Sequence, residues 1–405
     1  MKLKQLSNIS KKLSINLPNF VGESEEGIRL HNMLLHSYIN QTRIALGEVI
    51  KDVIPSGKDI ELVKRLMKTY KQATKSKQYS TNKDIWGFLK KGPHADFIEL
   101  LDSGDIREIA FYLCNMSRMG ATHGLSQGKI EYDKIIRNKG YRTWLNLFNL
   151  DKLMSLAEAL GVLSFEDPEQ GDYGNIFSKD PKKIINAIEK FLGVQISMPI
   201  LEGGLYKLIV GKNTIHNRDI TSIYTAWRCK EILRDEVAPS ICEIGAGLGK
   251  TAYYSYKLGI RKYTIIDLPY VNFLQGFYLI KSLPLVPIVL YGETSTRSEN
   301  YISILPTWSL GEFKGRPFDL TLNQDSFPEI QKKVVLGYLK QIKHLTKKYF
   351  LSINQESRNT IAVGKLKQHV VFELINLVKG YRRLYRSLYW LRQGYVEELY
   401  QILQP

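Results

Sequence analysis

Residues 243–251, Glu-Ile-Gly-Ala-Gly-Leu-Gly-Lys-Thr, carry the most chemically suggestive spacing in the chain. Gly245, Gly247 and Gly249 follow directly on the apolar run Ile241–Ile244. Glycines let the backbone turn tightly and lie against a ligand, and a helix beginning just after them would present free N–H groups. Asp267 ends the next apolar run, where a carboxylate can accept hydrogen bonds from both hydroxyls of a ribose. The pattern predicts a nucleoside-binding loop. Its Gly-Lys-Thr ending invites a phosphate-binding P-loop reading, but that motif needs a glycine where Ile244 stands. The dinucleotide fingerprint fails as well, because its third glycine would fall on Lys250.

The remaining spacing is Glu243, one apolar residue, then G-x-G-x-G. Here the sequence resembles the class I S-adenosylmethionine-dependent methyltransferases. That resemblance implies S-adenosylmethionine as cofactor, with Glu243 near its amino-acid end and Asp267 on its ribose. Ala246, Leu268 and Asn323 complete the expected cofactor-binding set with the three glycines.

In an open parallel sheet, ligands bind beyond the carboxyl ends of the strands. Two further strand ends are readable. Phe318–Leu322 runs into Asn323, Asp325, Ser326 and Glu329, and Tyr349–Ile353 runs into Asn354, Gln355 and Glu356. Methyltransferases of nucleobase amino groups carry an [Asn/Asp/Ser]-Pro-Pro-aromatic motif at the first of these ends. Asn-Gln-Asp-Ser-Phe departs from it. Short carboxylates, amides and hydroxyls suit a polyhydroxylated acceptor instead. A hydroxyl needs a positioned base as the methyl arrives. Asp325 is the leading candidate, with His216, Glu329 and Glu356 as others; Arg218, Ser326 and Asn354 would hold the acceptor. Glu329 follows Pro328 at an apparent helix start, where it could simply serve the helix dipole. No residue pattern requires a metal.

These groups need a scaffold. From about residue 196, short apolar runs (ICEI, YTIID, VPIVLY, FDLTL, YFLSI) alternate with helical patterns, the rhythm of βαβ units. Residues 196–405 are expected to form a seven-stranded, Rossmann-like, mostly parallel sheet closed by an antiparallel pair, Arg382–Trp390 and Tyr395–Ile402. Residues 1–195 read as a mainly helical domain for acceptor recognition, lid closure or dimerisation. Helical spacing marks Glu26–Val53, Trp144–Leu160 before Gly161, and Lys182–Leu192 before Gly193.

A wider resemblance covers roughly Asp167 to the end. The segments DPEQGDYGNIF, FLGVQISMP, HNRDITSIYTAWR, FDLTLNQDSFPEI and YWLRQGYVEELY are similar to a bacterial family of sugar O-methyltransferases. It implies methylation of a hydroxyl on a nucleotide-linked, lipid-linked or polymeric glycan in surface polysaccharide biosynthesis.

Composition narrows the alternatives. Apolar content of 44% is that of a folded globular chain rather than a disordered one. Three dispersed cysteines suggest neither a disulfide framework nor a zinc site, and the N-terminus has no apolar signal-peptide core, so a cytoplasmic location is expected. The net charge is +17. From Gln331 onward, 14 Lys/Arg face 4 Asp/Glu, a field that could meet an anionic membrane surface or an acidic polymer. The alternatives are an RNA ribose methyltransferase, which lacks a readable lysine-centred catalytic set, and a non-catalytic binding module, against which the intact glycines and Asp267 argue. No stable nucleic-acid partner is expected.

Overall fold

The computed structural model describes residues 47–76, 84–165, 180–294, 300–356 and 368–403. A small antiparallel sheet joins β1 (Gly47–Val49), β2 (Tyr206–Val210) and β3 (Asn213–Ile215). The large sheet contains β4 (Ser240–Ile244), β5 (Lys262–Asp267), β6 (Ile288–Leu290), β7 (Tyr301–Pro306), β8 (Phe318–Gln324), β9 (Thr346–Gln355), β10 (Tyr381–Leu388) and β11 (Tyr395–Ile402). Its order is β10-β11-β9-β8-β4-β5-β7-β6. Neighbours from β9 to β6 are parallel, and β11 runs antiparallel to both β9 and β10.

This is the expected α/β architecture with its closing antiparallel pair, built with eight strands instead of seven. The additional strand is β7, inserted between β5 and the β6 run that the sequence showed. Its residues alternate between buried and half-buried, so Tyr301–Pro306 lacks the continuous apolar character of its neighbours. The expected helix Glu26–Val53 lies outside the described residues up to position 46. Its described end is not helical, because Gly47–Val49 pairs with β2. The loop around residues 166–179 also lies outside the described residues.

Strand residues alternate between two cores. Ile241, Tyr263 and Ile265 pack into one cluster with the N-terminal helices. Cys242, Ile244 and Ile266 pack into the other, beside the Lys332–Leu345 and Val371–Ile375 helices. Such two-sided burial is why the central strands read as apolar runs.

The helices begin and end on recognisable chemistry. Asp180 caps Pro181–Leu192 by accepting from the Lys182 N–H, and Gly193 ends it at φ 70°. Asn138 caps the long Lys139–Ala159 helix, starting it earlier than the expected Trp144. The N-terminal helices are fastened onto the sheet as a roof. Arg65 clasps Glu293 at 2.7 Å, Lys281 meets Asp59 at 2.6 Å, and buried His94 faces the Tyr270 hydroxyl at 3.2 Å. At the far edge, β10 is largely exposed and carries Arg382, Arg383 and Arg386, which discourages edge-to-edge pairing.

Candidate active site

The carboxyl end of β4 turns through Gly245, Gly247 and Gly249, all left-handed at φ 76°, 58° and 80°. The Lys250–Lys257 helix follows at once. A Cβ on Gly245 would come within 2.2 Å of the Ser326 hydroxyl, so the loop is pressed against the end of β8. A Cβ on Gly247 would meet nothing nearer than the Leu125 carbonyl oxygen at 3.8 Å, so that position borders open space.

That space is a cleft of about 310 Å³. Its walls include Glu243, Gly245–Leu248 and Asp267 on the sheet side, Trp86, Gly124 and Leu125 from the roof, and Asp325, Ser326, Glu329, Arg392 and Tyr395 at the far end. Asp267 is buried. Its carboxylate accepts from the N–H groups of Ala246 (3.0 Å) and Leu268 (2.8 Å) and from the Gln275 amide (2.7 Å). Burial nevertheless pushes it up to about 6. Glu243 accepts from the Tyr263 hydroxyl at 2.8 Å. Burial, with the Asp267 charge adding, pushes it up to about 8.

Asn323 braces the loop from beneath. Its amide donates to the Ile244 carbonyl at 2.8 Å and to the Ser326 hydroxyl at 2.6 Å, while Asn354 donates to the Asn323 side-chain oxygen at 3.0 Å. Asn323 and Asn354 are buried supports, and neither they nor Gly249 and Leu268 form part of the cleft wall.

Asp325 follows β8 in a left-handed conformation, φ 68°, unusual for a side-chain-bearing residue and characteristic of strained functional positions. Its carboxylate lies between Arg218 (3.3 Å) and Arg392 (3.0 Å). Both oxygens are therefore occupied by guanidinium groups. Glu329 also lines the cleft and makes no side-chain hydrogen bond among the described residues. Burial and the neighbouring Asp325 charge push it up to about 7, against the opposing pull of Arg218 and Arg392. A carboxylate poised near neutrality suits proton transfer.

Two expected bases are directed elsewhere. His216 is buried at the start of the Asn217–Ile232 helix, where it accepts from the Arg218 N–H. Burial, then the charges of Lys250 and Arg218, holds it well below its ordinary range. It caps a helix and does not line the cleft. Glu356 is turned outward onto the Arg386 guanidinium, with one oxygen at 2.6 Å. Its place just after a strand misled, because the closing hairpin takes up its charge.

A second chamber of about 170 Å³ adjoins the first. The two share Arg218, Thr221, Gln324, Asp325 and Arg392. No local pattern marks the roof residues Trp86, Gly124 and Leu125 or Arg392, which reach the site only through long-range packing. Lys250 did leave a trace in the Gly-Lys-Thr ending. It lines the cleft and forms a buried ion pair with Asp219 at 2.6 Å. Among the described residues, no group of three or more His, Cys, Asp or Glu side chains could hold a metal ion, and no helix is long and apolar enough to cross a membrane.

No protein-family profile and no curated protein sequence matches the chain. Similar solved structures include the PH0226 protein of Pyrococcus horikoshii, at 9% identity and TM-score 0.34, covering 46% of this chain and 92% of that one. Another is the magnesium protoporphyrin IX methyltransferase of Synechocystis with bound S-adenosylmethionine, at 12% identity and TM-score 0.32, covering 46% of this chain and 82% of that one. Likenesses this distant carry no residue roles across. The mostly parallel sheet, the glycine loop at the end of β4 and the antiparallel closing pair agree with the architecture expected from the sequence, with eight strands in place of seven. The fold is a Rossmann-like, mostly parallel α/β sheet with a helical N-terminal region.

Proposed function

We propose that this chain transfers a methyl group from S-adenosylmethionine to a hydroxyl of a sugar, in the biosynthesis of a bacterial surface polysaccharide. The observation that carries the reading is the continuity of the site. A backbone-lined cleft beside Asp267 opens at Asp325 into a second chamber.

The residues present fit the cofactor. A carboxylate offers about four acceptor positions, and three at Asp267 are occupied from within the protein, which leaves capacity for a ribose hydroxyl. The space beside Gly247 admits a ligand against bare backbone. Glu243 supplies a carboxyl group to the cleft wall that would ionise against the cationic amino-acid end. S-adenosylmethionine bound there would supply an electrophilic methyl group, whose bond to sulfur breaks as a bond to the acceptor oxygen forms.

The chain's own residues handle the acceptor. Glu329 takes the hydroxyl proton, a role its raised proton affinity suits better than the doubly ion-paired Asp325. Asp325 instead holds Arg218 and Arg392 at the junction of the chambers. Trp86 and Leu125 help to exclude water. Positioning the two reactants in line contributes up to about 7–11 kcal/mol.

The sugar assignment rests on the NQDSFPE and GYVEELY resemblance and on the hydroxyl-matching groups Ser126, Asn217 and Gln324 in the second chamber. The basic C-terminal region offers less to RNA than its composition suggests, since Arg383 and Arg386 are engaged by Glu398, and Arg386 also by Glu356. Calorimetry with S-adenosylmethionine tests the cofactor, and absence of binding would sink the reading. Glycans from cells lacking the protein should be lighter by one methylene unit per modified sugar; unchanged masses would remove the sugar assignment while leaving the methyltransferase.

A further inference from the structure

We infer that the acceptor is an acidic sugar, whose carboxylate or phosphate is held by Arg218 and Arg392 in the second chamber; this rests on the methyl-transfer reading above. The chamber is lined by Ser126, Glu131, Lys152, Arg218 and Arg392 among others, with Asp325 at its mouth. It is smaller than the clefts of about 300–1,000 Å³ that take drug-sized ligands, a size suited to a single sugar unit.

Its arginine donors are only partly matched among the described residues. Arg218 and Arg392 share one carboxylate, that of Asp325, each through a single terminal nitrogen. Glu329 acts on both guanidinium groups through its charge but makes no hydrogen bond to either among the described residues, so Asp325 is the carboxylate that engages their donors. The Nε and the other terminal nitrogen of both arginines donate to no acceptor among the described residues. Those nitrogens form the planar fork that matches a carboxylate or phosphate. Lys152, held by the Leu391 carbonyl and lying 5.2 Å from the Phe148 ring centre, adds a further positive charge to the wall. Glu131 opposes it only in part, because burial raises its proton affinity.

The wall also carries an unsatisfied group. Ser126 is 7% exposed, and its hydroxyl has no hydrogen-bond partner among the described residues. Buried polar atoms in native proteins are nearly all paired, so this hydroxyl is available to an oxygen of the ligand. The acid group would thus be anchored beyond the junction, and a hydroxyl of the same sugar would face the cleft and Glu329.

The test uses the full-length protein and first measures its affinity for S-adenosylhomocysteine, which does not involve the second chamber. Failure there removes the methyl-transfer reading itself. With cofactor binding established, methyl incorporation is measured on matched probes: glucuronate- and galacturonate-terminated oligosaccharides, hexose phosphates, and their neutral glucose and galactose counterparts. The acidic members should be favoured by at least about tenfold in kcat/KM, and the preferred arm distinguishes carboxylate from phosphate. Arg218→Gln and Arg392→Gln should raise the acceptor KM about ten- to a hundredfold, the effect of losing a hydrogen bond to a charged group. The unfolding midpoint and circular dichroism spectrum of each variant should stay near the native ones and so report that it is folded, since Arg218 and Arg392 also line the cofactor cleft. Ser126→Ala, a milder change, should raise the acceptor KM a few-fold. Equal use of acidic and neutral sugars, or an unchanged KM in folded arginine variants, would overturn the acidic-acceptor inference alone. Preferential methylation of an oligoribonucleotide, with steep salt dependence, would also overturn it in favour of a nucleic-acid substrate.

Discussion

Gly245 and Gly247 lie two residues apart in one loop, and alanine at each should fail differently. Both have left-handed backbones, so a side chain costs about 1–2 kcal/mol at either. At Gly245 the methyl would stand 2.2 Å from the Ser326 hydroxyl. Ser326 would have to move, and it accepts from Asn323 and donates to the Ile244 carbonyl, both buried contacts. Leaving buried polar groups unmatched adds about 1–3 kcal/mol. Gly245→Ala should therefore destabilise the protein by about 2–5 kcal/mol. At Gly247 the methyl meets only open cleft. Gly247→Ala should cost about 1 kcal/mol of stability, partly offset by reduced freedom of the unfolded chain, yet weaken S-adenosylmethionine at least about tenfold, or 1.4 kcal/mol. Gly247→Val should abolish binding in a protein that still folds. Chemical denaturation and calorimetry on the purified variants separate the two effects. Native cofactor affinity in Gly247→Ala, or equal destabilisation by both alanines, would refute the placement of the ligand against this loop.

Other consequences are equally measurable. Glu329 is pushed up to about 7, and a base must be unprotonated, so turnover should fall below that pH by roughly tenfold per unit. Glu329→Gln should lower turnover about a hundred- to ten-thousandfold and abolish that limb, whereas Asp325→Asn should act mainly through the acceptor KM. Glu243 is pushed up to about 8 and is therefore largely protonated at neutral pH. A cationic cofactor favours its ionised form, so binding should release a proton near pH 7 and tighten as pH rises towards 8. Calorimetry in buffers of different ionisation enthalpy should detect that proton, and Glu243→Gln should eliminate it. Lys250→Met leaves fully buried Asp219 without its ion pair and should cost about 3–5 kcal/mol in a denaturant titration; adding Asp219→Leu should recover much of that loss.

The parts of this molecule governed by local rules were readable from sequence. Gly245, Gly247 and Gly249 follow an apolar strand, Asp267 ends the next one, and Gly193 closes the Lys182–Leu192 pattern. The closing pair was visible because Arg382–Trp390 and Tyr395–Ile402 flank a short connection. β7 was missed because Tyr301–Pro306 is only alternately buried, and β1 because three residues bear no periodicity of their own. At the site, sequence proximity to a strand end located Asp325 and Glu329 but could not distinguish them from Glu356. What separates these carboxylates is the direction of the side chain and the partner it meets: two arginines for Asp325, no hydrogen-bond partner among the described residues for Glu329, and the hairpin's Arg386 for Glu356. The residue type of His216 allows chemistry, but its burial at a helix start, which no local pattern marks, keeps it out of the cleft wall.

The small sheet has a consequence for how the chain comes to be folded. β1 is made early, but its partner β2 emerges only after the roof helices have been synthesised. Those helices are themselves waiting. Phe97 rests edge-on against Phe273, and Leu66 fills the space above Gly276, both of which lie later still in the chain. Pairings so distant in sequence form late, because loop closure must precede the contacts that offset its entropy. The nascent N-terminal segment therefore leaves the ribosome with apolar faces uncovered, a state prone to aggregation. Expressed alone it should need a chaperone or precipitate, and supplying the remaining segment in trans should rescue it by giving those faces the surfaces they were shaped to cover.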